Sequence, residues 1–140
     1  MIYLGSDHAG FGLKVVLIQH LRDKNIAFED LGTFSEESVD YPLIAKKLCV
    51  KISEEDKGIL ICGTGIGMSI ASNRFKHIRA ALCYDVDSAK LSRNHNNANV
   101  LVLKGRNQEQ SESIKILDAF LEAQFEGGRH QRRIDELNDL

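Results

Sequence analysis

The chain has 140 residues, 43% of them hydrophobic and 27% charged, with a formal net charge of -2, which excludes an intrinsically disordered or strongly basic protein. This length predicts a single domain spanning 1–140, and the charge gives no positive field that would attract nucleic acid or anionic lipid. Because the sequence has no basic-then-apolar leader and no run of about 18 apolar residues, we expect a cytoplasmic protein that is not bound to a membrane.

Strand-like and helix-like segments alternate through the first half of the chain. Short apolar segments at 2–4 and 26–31 predict two strands, and apolar residues at helical spacing predict a helix between them that ends near Lys24. The acidic and hydroxyl-rich stretch 33–40 predicts a solvated loop. A second apolar repeat begins after Pro42 and predicts another helix with a lysine-rich outer face.

The second half repeats this alternation. Strands are predicted at 58–62, 78–84 and 100–103. Helices are predicted after each of them: one from Gly65 to about Asn73, one capped by Asp85 and Asp87, and one with a broad apolar face from Ile114 to Leu121. The asparagine-rich stretch 92–99 predicts a loop, because asparagine favours turns over helix.

The alternation of strands and helices predicts an α/β fold with a five-stranded, doubly wound parallel sheet of the Rossmann-like or flavodoxin-like kind, covered by helices on both faces. Ligands of such sheets bind outside the carboxyl ends of the strands. We therefore expect Asp7, His8 and Cys62, each close to the end of a strand, to lie together with Asp85 at one rim. We also expect the loop that carries His95 to lie there.

An extra C-terminal helix is predicted after the glycine pair that precedes Arg129. The sequence offers no obvious place for its Ile134 and Leu137 on a complete fold, so we expect 127–140 to pack on a partner subunit of a homodimer. Packing on its own sheet is the alternative. Arg129 and Arg133 are four residues apart and would share one helix face that can bind a phosphate, although a solvated basic face is also compatible with this spacing.

The strongest chemical pattern is the turn after the third strand. That strand ends at Cys62, and the alternating glycines Gly63, Gly65 and Gly67 then lead into a helix. Unpaired backbone N–H groups at such a turn attract an anion and favour the thiolate form of a neighbouring cysteine, while Thr64 adds a hydroxyl. The alternative is a tight turn beside a cysteine that packs as a small apolar residue. The glycine spacing matches neither the dinucleotide fingerprint nor the P-loop.

Two of the five histidines are candidates for acid–base chemistry. His8 and His95 lie in loops with Asp or Asn neighbours that can orient an imidazole, and His130 adjoins an arginine and can assist phosphate binding. The three cysteines form no C-x-x-C pair, and the two besides Cys62 are predicted to pack in the core. Because no His and carboxylate group stands at ligand spacing near Cys62, we expect no metal site.

Five motifs distributed along the chain point to one family. They are Gly5-Ser6-Asp7-His8-Ala9-Gly10, Asp40-Tyr41-Pro42, Cys62-Gly63-Thr64-Gly65-Ile66-Gly67-Met68-Ser69, Arg93-Asn94-His95-Asn96 and Glu126-Gly127-Gly128-Arg129-His130. In this order the chain resembles the type B ribose-5-phosphate isomerases, a family that also includes the galactose-6-phosphate isomerase subunits.

The resemblance implies an aldose–ketose isomerase of the pentose phosphate pathway that interconverts ribose 5-phosphate and ribulose 5-phosphate. It also implies that no cofactor and no metal are used, and that a homodimer, or a dimer of dimers, builds its sites from both subunits. The implied catalytic residues are Cys62 as the base, His95 for opening the furanose ring, and Thr64. The loop whose amides hold the enediolate oxygen matches Gly63, Thr64, Gly65, Ile66 and Gly67. Positions that line the sugar or hold its phosphate match Asp7, His8, Tyr41, Asn96, Arg106, Arg129 and Arg133.

Two alternatives remain open at the level of sequence. A six-carbon substrate such as allose 6-phosphate or galactose 6-phosphate is the first, although one chain that carries the base, the ring-opening histidine and the arginines favours ribose 5-phosphate. A nucleotide-binding module, with Asp85 holding a ribose hydroxyl, is the second. The chain departs from the family at Ser72, Arg74 and Lys104, and the last departure bears on the turn that presents Arg106.

Overall fold

The computed structural model describes residues 1–140. The strands are β1 (Ile2–Ser6), β2 (Phe28–Asp30), β3 (Lys57–Cys62), β4 (Ala80–Leu82) and β5 (Val100–Lys104). The helices are α1 (Phe11–Asp23), α2 (Tyr41–Lys51), α3 (Ile66–Ser72), α4 (Val86–Asn94), α5 (Gln110–Glu122) and α6 (Arg129–Asn138). A short 3₁₀ helix, His8–Gly10, joins β1 to α1. No helix is both long and apolar enough to cross a lipid bilayer.

The five strands form one parallel sheet in the order β2-β1-β3-β5-β4. This order confirms the predicted doubly wound α/β fold. The central strand β3 is buried from Gly58 to Cys62, as its lack of charge predicts for a strand that is covered on both faces.

Alternate side chains of the strands point to opposite faces of the sheet and form two separate hydrophobic cores. Ile59 and Ile61 point to the face covered by α1, α4 and α5, where Phe120 is fully buried. Leu60 and Cys62 point to the opposite face, covered by α2 and α3. Because side chains two residues apart in a strand point to the same face, Cys62 points to the same face as Leu60. It therefore lies under α3, the helix that comes after it in sequence.

Three features differ from the sequence-based prediction. The two edge strands, β2 and β4, are each limited to three residues, and each pairs with a single neighbouring strand. The stretch 92–99 is not a loop throughout, since α4 continues to Asn94. Burial explains the extension, because the Arg93 Nη1 atom donates hydrogen bonds to the carbonyl of Ala98 (2.7 Å) and to Asn97 Oδ1 (2.8 Å), which fixes the last helical turn.

The third difference concerns α6. Ile134 is only 4% exposed, so the expectation that its side chain has no place on its own chain is wrong. Leu137 remains 47% exposed and Leu140 92% exposed. The helix therefore covers its own chain with one residue near its middle and leaves the apolar residues at its end uncovered.

Candidate active site

The turn after β3 needs glycine at Gly65. Its φ is +81°, and a Cβ there would lie 2.4 Å from a methyl carbon of Leu82. The Thr64 hydroxyl accepts a hydrogen bond from the Ile66 amide (3.1 Å), and the Tyr84 hydroxyl donates to the Thr64 carbonyl (3.0 Å). The turn is therefore fixed by steric demand and by hydrogen bonds on both sides of Gly65.

Several amides of this turn have no acceptor in the chain. The N–H groups of Thr64, Gly65 and Gly67 donate to no carbonyl or side chain of the protein. The Ile66 amide differs, because it already donates to Thr64 Oγ1. In the loop predicted to hold an oxyanion, the amides of Thr64, Gly65 and Gly67 are therefore available to a ligand. The Ile66 amide could bind a ligand only after its hydrogen bond to Thr64 is broken.

Cys62 lies directly beneath this turn and is 4% exposed. Its surroundings differ from those of the other two cysteines. Cys49 is fully buried in α2, where burial raises the pKa of its thiol to about 12, and burial also raises the pKa of the Cys83 thiol. Both are unreactive core residues, as predicted, whereas Cys62 adjoins unpaired backbone donors.

Two further predicted residues flank the turn. A Cβ at Gly63 would lie 3.1 Å from Arg106 Nη1, so the guanidinium of Arg106 covers that glycine. The Arg106 amide donates to the Gly63 carbonyl (3.1 Å), and this pairing fixes the turn that comes after Lys104 and presents Arg106. A Cβ at Gly67 would lie 2.6 Å from the ring of Tyr41. The absence of a side chain at Gly63 and Gly67 therefore allows Arg106 and Tyr41 to pack directly on the backbone of the turn.

The end of β1 supplies Asp7 and His8 to the same rim. Asp7 is buried, and its carboxylate accepts hydrogen bonds from the amides of Ala9 and Gly10 (3.0 Å each), which caps the 3₁₀ helix. His8 Nδ1 accepts a hydrogen bond from the Val39 amide (3.2 Å). Since Nδ1 is the acceptor, the ring proton of His8 resides on Nε2.

A buried cation supports the loop that contacts His8. Lys14 is fully buried, and its Nζ atom donates hydrogen bonds to Asp30 and to the carbonyl of Thr33. These contacts fix the start of the 33–40 loop, which ends beside the candidate site. The sequence analysis did not predict this role, because a lysine on an amphipathic helix is normally assigned to the solvent-exposed face.

His95 does not lie at this rim, and the prediction that it would is wrong. The segment after α4 adjoins the opposite edge of the sheet: Asn99 accepts a hydrogen bond from the Gly58 amide through its carbonyl (2.8 Å) and from the Arg79 amide through Oδ1 (2.7 Å). A loop that comes after a helix in a βα unit lies at the amino ends of the strands. Helix α4 has nine residues and a length of about 13 Å, and it carries the chain from the carboxyl edge to the amino edge, so His95 lies at the edge of the sheet opposite to Cys62.

A second group of predicted residues gathers at this amino edge. A cavity of about 580 Å³ is lined by His95, Asn96, His130 and Arg133, among others. The Glu126 amide donates to the Asn94 carbonyl (3.0 Å), which ties the start of the tail to the end of α4. Arg129 and Arg133 are both exposed and lie one turn apart on α6, as predicted. The predicted site residues therefore form two groups, one at the carboxyl edge of the sheet and one at its amino edge.

The described cavities all belong to the amino edge. A cavity of about 600 Å³ lies between Ile78 and Leu140, and one of about 590 Å³ adjoins His77 and Ile134. None of these three is lined by Cys62.

Three side chains at the amino edge form a potential metal-binding group. The ligand atoms of His95, Glu126 and His130 lie within 4.8 Å of one another. The sequence-based search for such a group considered only the surroundings of Cys62 and so missed it. Arg129 and Arg133 on α6 oppose the binding of a cation there.

Asp85, the residue of the nucleotide-binding alternative, has a structural role. Its carboxylate accepts a hydrogen bond from the Ser88 amide (2.7 Å) and caps α4. This hydrogen bond and that of the Ser88 side chain lower the pKa of Asp85. A helix cap explains the residue without a nucleotide.

Comparisons with known proteins identify the family of this chain. The sequence model of the Ribose/Galactose Isomerase family matches residues 2–137. The ribose-5-phosphate isomerase B of Escherichia coli (strain K12) is 46% identical over 141 aligned positions, covering 99% of this chain and 95% of that protein.

Two solved structures extend the comparison to the fold. The ribose 5-phosphate isomerase of Thermotoga maritima has a TM-score of 0.96 at 53% identity, covering 99% of this chain and 97% of that chain. The ribose-5-phosphate isomerase B of Mycoplasma genitalium, solved with bound ribulose 5-phosphate, has a TM-score of 0.90 at 47% identity, covering 99% and 93% of the two chains. This chain belongs to the ribose/galactose isomerase family.

Proposed function

We propose that the chain is an isomerase that interconverts ribose 5-phosphate and ribulose 5-phosphate. The observation that carries the proposal is the position of Cys62 at the last residue of β3, directly beneath a turn with free amides at Thr64, Gly65 and Gly67. The relative from Mycoplasma genitalium binds ribulose 5-phosphate, and membership of its family extends this substrate to the present chain.

The chemistry requires a base and an oxyanion site at two adjacent carbons. The Cys62 thiolate removes the C2 proton of the open-chain aldose, and negative charge develops on O1 as the enediolate forms. Each aimed amide donor stabilises this charge in the transition state by about 3 kcal/mol. The proton of the C2 hydroxyl moves to O1, and the Cys62 thiol returns its proton to C1, which leaves the carbonyl of the ketose at C2. Thr64 holds the turn in shape through its hydrogen bond to Ile66.

The remaining residues bind and prepare the sugar. His95 opens the furanose ring, and Asn96 beside it contacts the sugar. Asp7, His8 and Tyr41 line the carboxyl-edge side. Arg106, Arg129 and Arg133 hold the phosphate through charge-assisted hydrogen bonds.

We infer that the working unit is a homodimer, either alone or as a dimer of dimers, whose sites are shared. Cys62 and His95 of one chain lie at opposite edges of the sheet, yet the reaction needs both at one sugar. In a two-fold dimer, the carboxyl edge of each chain can meet the amino edge of its partner. Each of two sites would then take its base from one chain and its ring-opening histidine from the other.

Exposed apolar side chains support this arrangement. Ile66 and Ile70 on α3 are 52% and 55% exposed beside the glycine turn, and Leu137 on α6 is 47% exposed beside the amino-edge cavity. Apolar patches at two sites on one chain suit a self-complementary interface. The segment 127–140 would then contact its own chain through Ile134 and the partner through Leu137.

The test is the rate of ribulose 5-phosphate formation by the wild type and by Cys62→Ala. We expect the variant to lose activity on the order of 10³-fold, since a positioned base contributes that much, while phosphate binding and thermal unfolding change little. Cys83→Ala is the matched control, and its activity should stay within about twofold, because that thiol packs in the core on the opposite face of the sheet from Cys62. Normal turnover by Cys62→Ala would remove the thiol from the base role.

Two further measurements separate the alternatives. Rates on five-carbon and six-carbon aldose phosphates, compared side by side, identify the preferred sugar length. Titration with NAD tests the nucleotide-binding alternative, and tight NAD binding without turnover of ribose 5-phosphate would overturn the isomerase proposal.

A further inference from the structure

The His95 imidazole does not stand alone at the amino edge. It stacks on the imidazole of His130, with ring centroids 4.3 Å apart and an interplanar angle of 13°. The Nε2 atoms of both rings lie 3.7 Å from the same carboxylate oxygen of Glu126. The backbone fixes this group, because the Glu126 amide donates to the Asn94 carbonyl directly before His95.

The two rings differ in exposure. The side chain of His130 is 11% exposed, that of His95 is 40% exposed, and that of Glu126 is 56% exposed. The stack therefore has an inner ring against the protein and an outer ring that lines the amino-edge cavity.

The surroundings of His130 disfavour its positively charged form. Burial lowers the pKa of His130, and neighbouring cationic groups lower it further. These groups are His95 after α4 and Arg129 and Arg133 on α6, whereas Glu126 acts in the opposite direction.

We propose that His130 is a positioning residue for His95, because it is the flat platform on which the outer imidazole stacks. This inference rests on the proposed function, in which His95 opens the furanose ring. His95 donates its proton to the ring oxygen as the bond from C1 to that oxygen breaks. The C1 hydroxyl becomes the aldehyde and gives its proton to the imidazole, so His95 is protonated again at the end.

Two substitutions of His130 test the platform. His130→Ala removes the flat surface, and we expect kcat for ribose 5-phosphate to fall about tenfold with little change in KM, because the outer ring loses its orientation. His130→Phe keeps a flat, uncharged ring, and its kcat should return to within about threefold of the wild type. Thermal unfolding of both variants identifies any loss of folded protein. The inference is overturned if His130→Ala matches the wild type, or if His130→Phe folds but is as slow as His130→Ala.

The assays contain a metal chelator, because the side chains of His95, Glu126 and His130 can together bind a cation.

These outcomes are distinct from failure of the proposed function. If the wild type does not convert ribose 5-phosphate, the isomerase proposal fails before any variant is compared. If the wild type is active and the variants behave as it does, only the positioning inference fails.

Discussion

The carboxyl edge and the amino edge of this sheet fix functional groups in different ways. At the carboxyl edge the backbone itself presents the chemistry: Gly65 takes a left-handed conformation, and free amides surround Cys62. At the amino edge the chemistry is carried by side chains at the ends of helices, such as His95 after α4 and Arg129 in the first turn of α6.

This difference matches the different chemical tasks proposed for the two edges. Stabilising an enediolate needs donors that do not move, and the turn between β3 and α3 provides them. Binding a phosphate needs a charged group on a long side chain, as arginine provides, and protonating a ring oxygen needs a proton donor such as an imidazole. Because one chain keeps the two sets apart, a second copy is the simplest way to unite them.

The largest effect is expected from mixing two inactive variants. Cys62→Ala disables the carboxyl edge and His95→Ala disables the amino edge, so each alone should be nearly inactive. When the two are unfolded together and refolded, mixed dimers contain one intact site and one doubly altered site, and activity should recover to about a quarter of the wild type. Activity is measured as ribulose 5-phosphate formed per total protein.

The control for this mixture combines each variant with itself under the same refolding conditions. Sites contained within one chain would give no recovery in the mixture, and that result would contradict the shared-site proposal.

A smaller effect is expected from the arginines of α6. Arg129→Ala and Arg133→Ala each remove a charged partner of the phosphate, and KM for ribose 5-phosphate should rise about tenfold or more. Arg132 is the matched control on the same helix, since its side chain is 71% exposed and interacts only with Glu136, one turn away. Steady-state kinetics distinguish the three, and an equal effect of Arg132→Ala would indicate a general charge effect.

Much of the fold and of the carboxyl edge was predictable from sequence. An uncharged β-branched run that stops at a cysteine and alternating glycines has few folded solutions, and the turn at Gly65 is one of them. Asp85 before Ser88 likewise indicated a helix start, and its carboxylate does cap α4.

The position of His95 was misjudged although the predicted elements implied it. The loop 92–99 was predicted between a helix and the strand at 100–103, and a loop that leads from a helix into a strand of a parallel sheet lies at the amino edge. The asparagine-rich composition was taken as a sign of a ligand-binding loop and outweighed this order. Buried Lys14 and the His95–His130 stack were missed because both depend on neighbours far away in sequence. Ile134 was misjudged because the surface it covers forms only after the sheet is assembled.

The glycines of the carboxyl edge offer a test of its rigidity. Gly65→Ala places a Cβ in a left-handed residue and against Leu82, and we expect the free energy of unfolding to fall by about 1–3 kcal/mol together with a loss of activity. Gly12→Ala is the matched control: nothing lies within 4 Å of its Cβ position in α1, and helix propensity should raise stability by up to about 1 kcal/mol. Denaturant unfolding measures both. Equal stabilities would mean that the turn is not strained by a side chain.

The smallest expected effect concerns the amino edge and its response to acid. The pKa of His130 is lowered below its ordinary value of 6.5, first by burial, so the unfolded chain binds a proton there more readily than the folded chain. The stability associated with a neutral His130 is therefore complete above pH 6.5 and is lost as the pH falls through the lower folded value. His130→Phe removes this loss, so the stability of the wild type relative to the variant should decline from neutral to mildly acidic pH. Thermal unfolding at matched ionic strength measures the decline, and parallel curves for the two proteins would show that the inner ring of the stack is not held neutral by the fold.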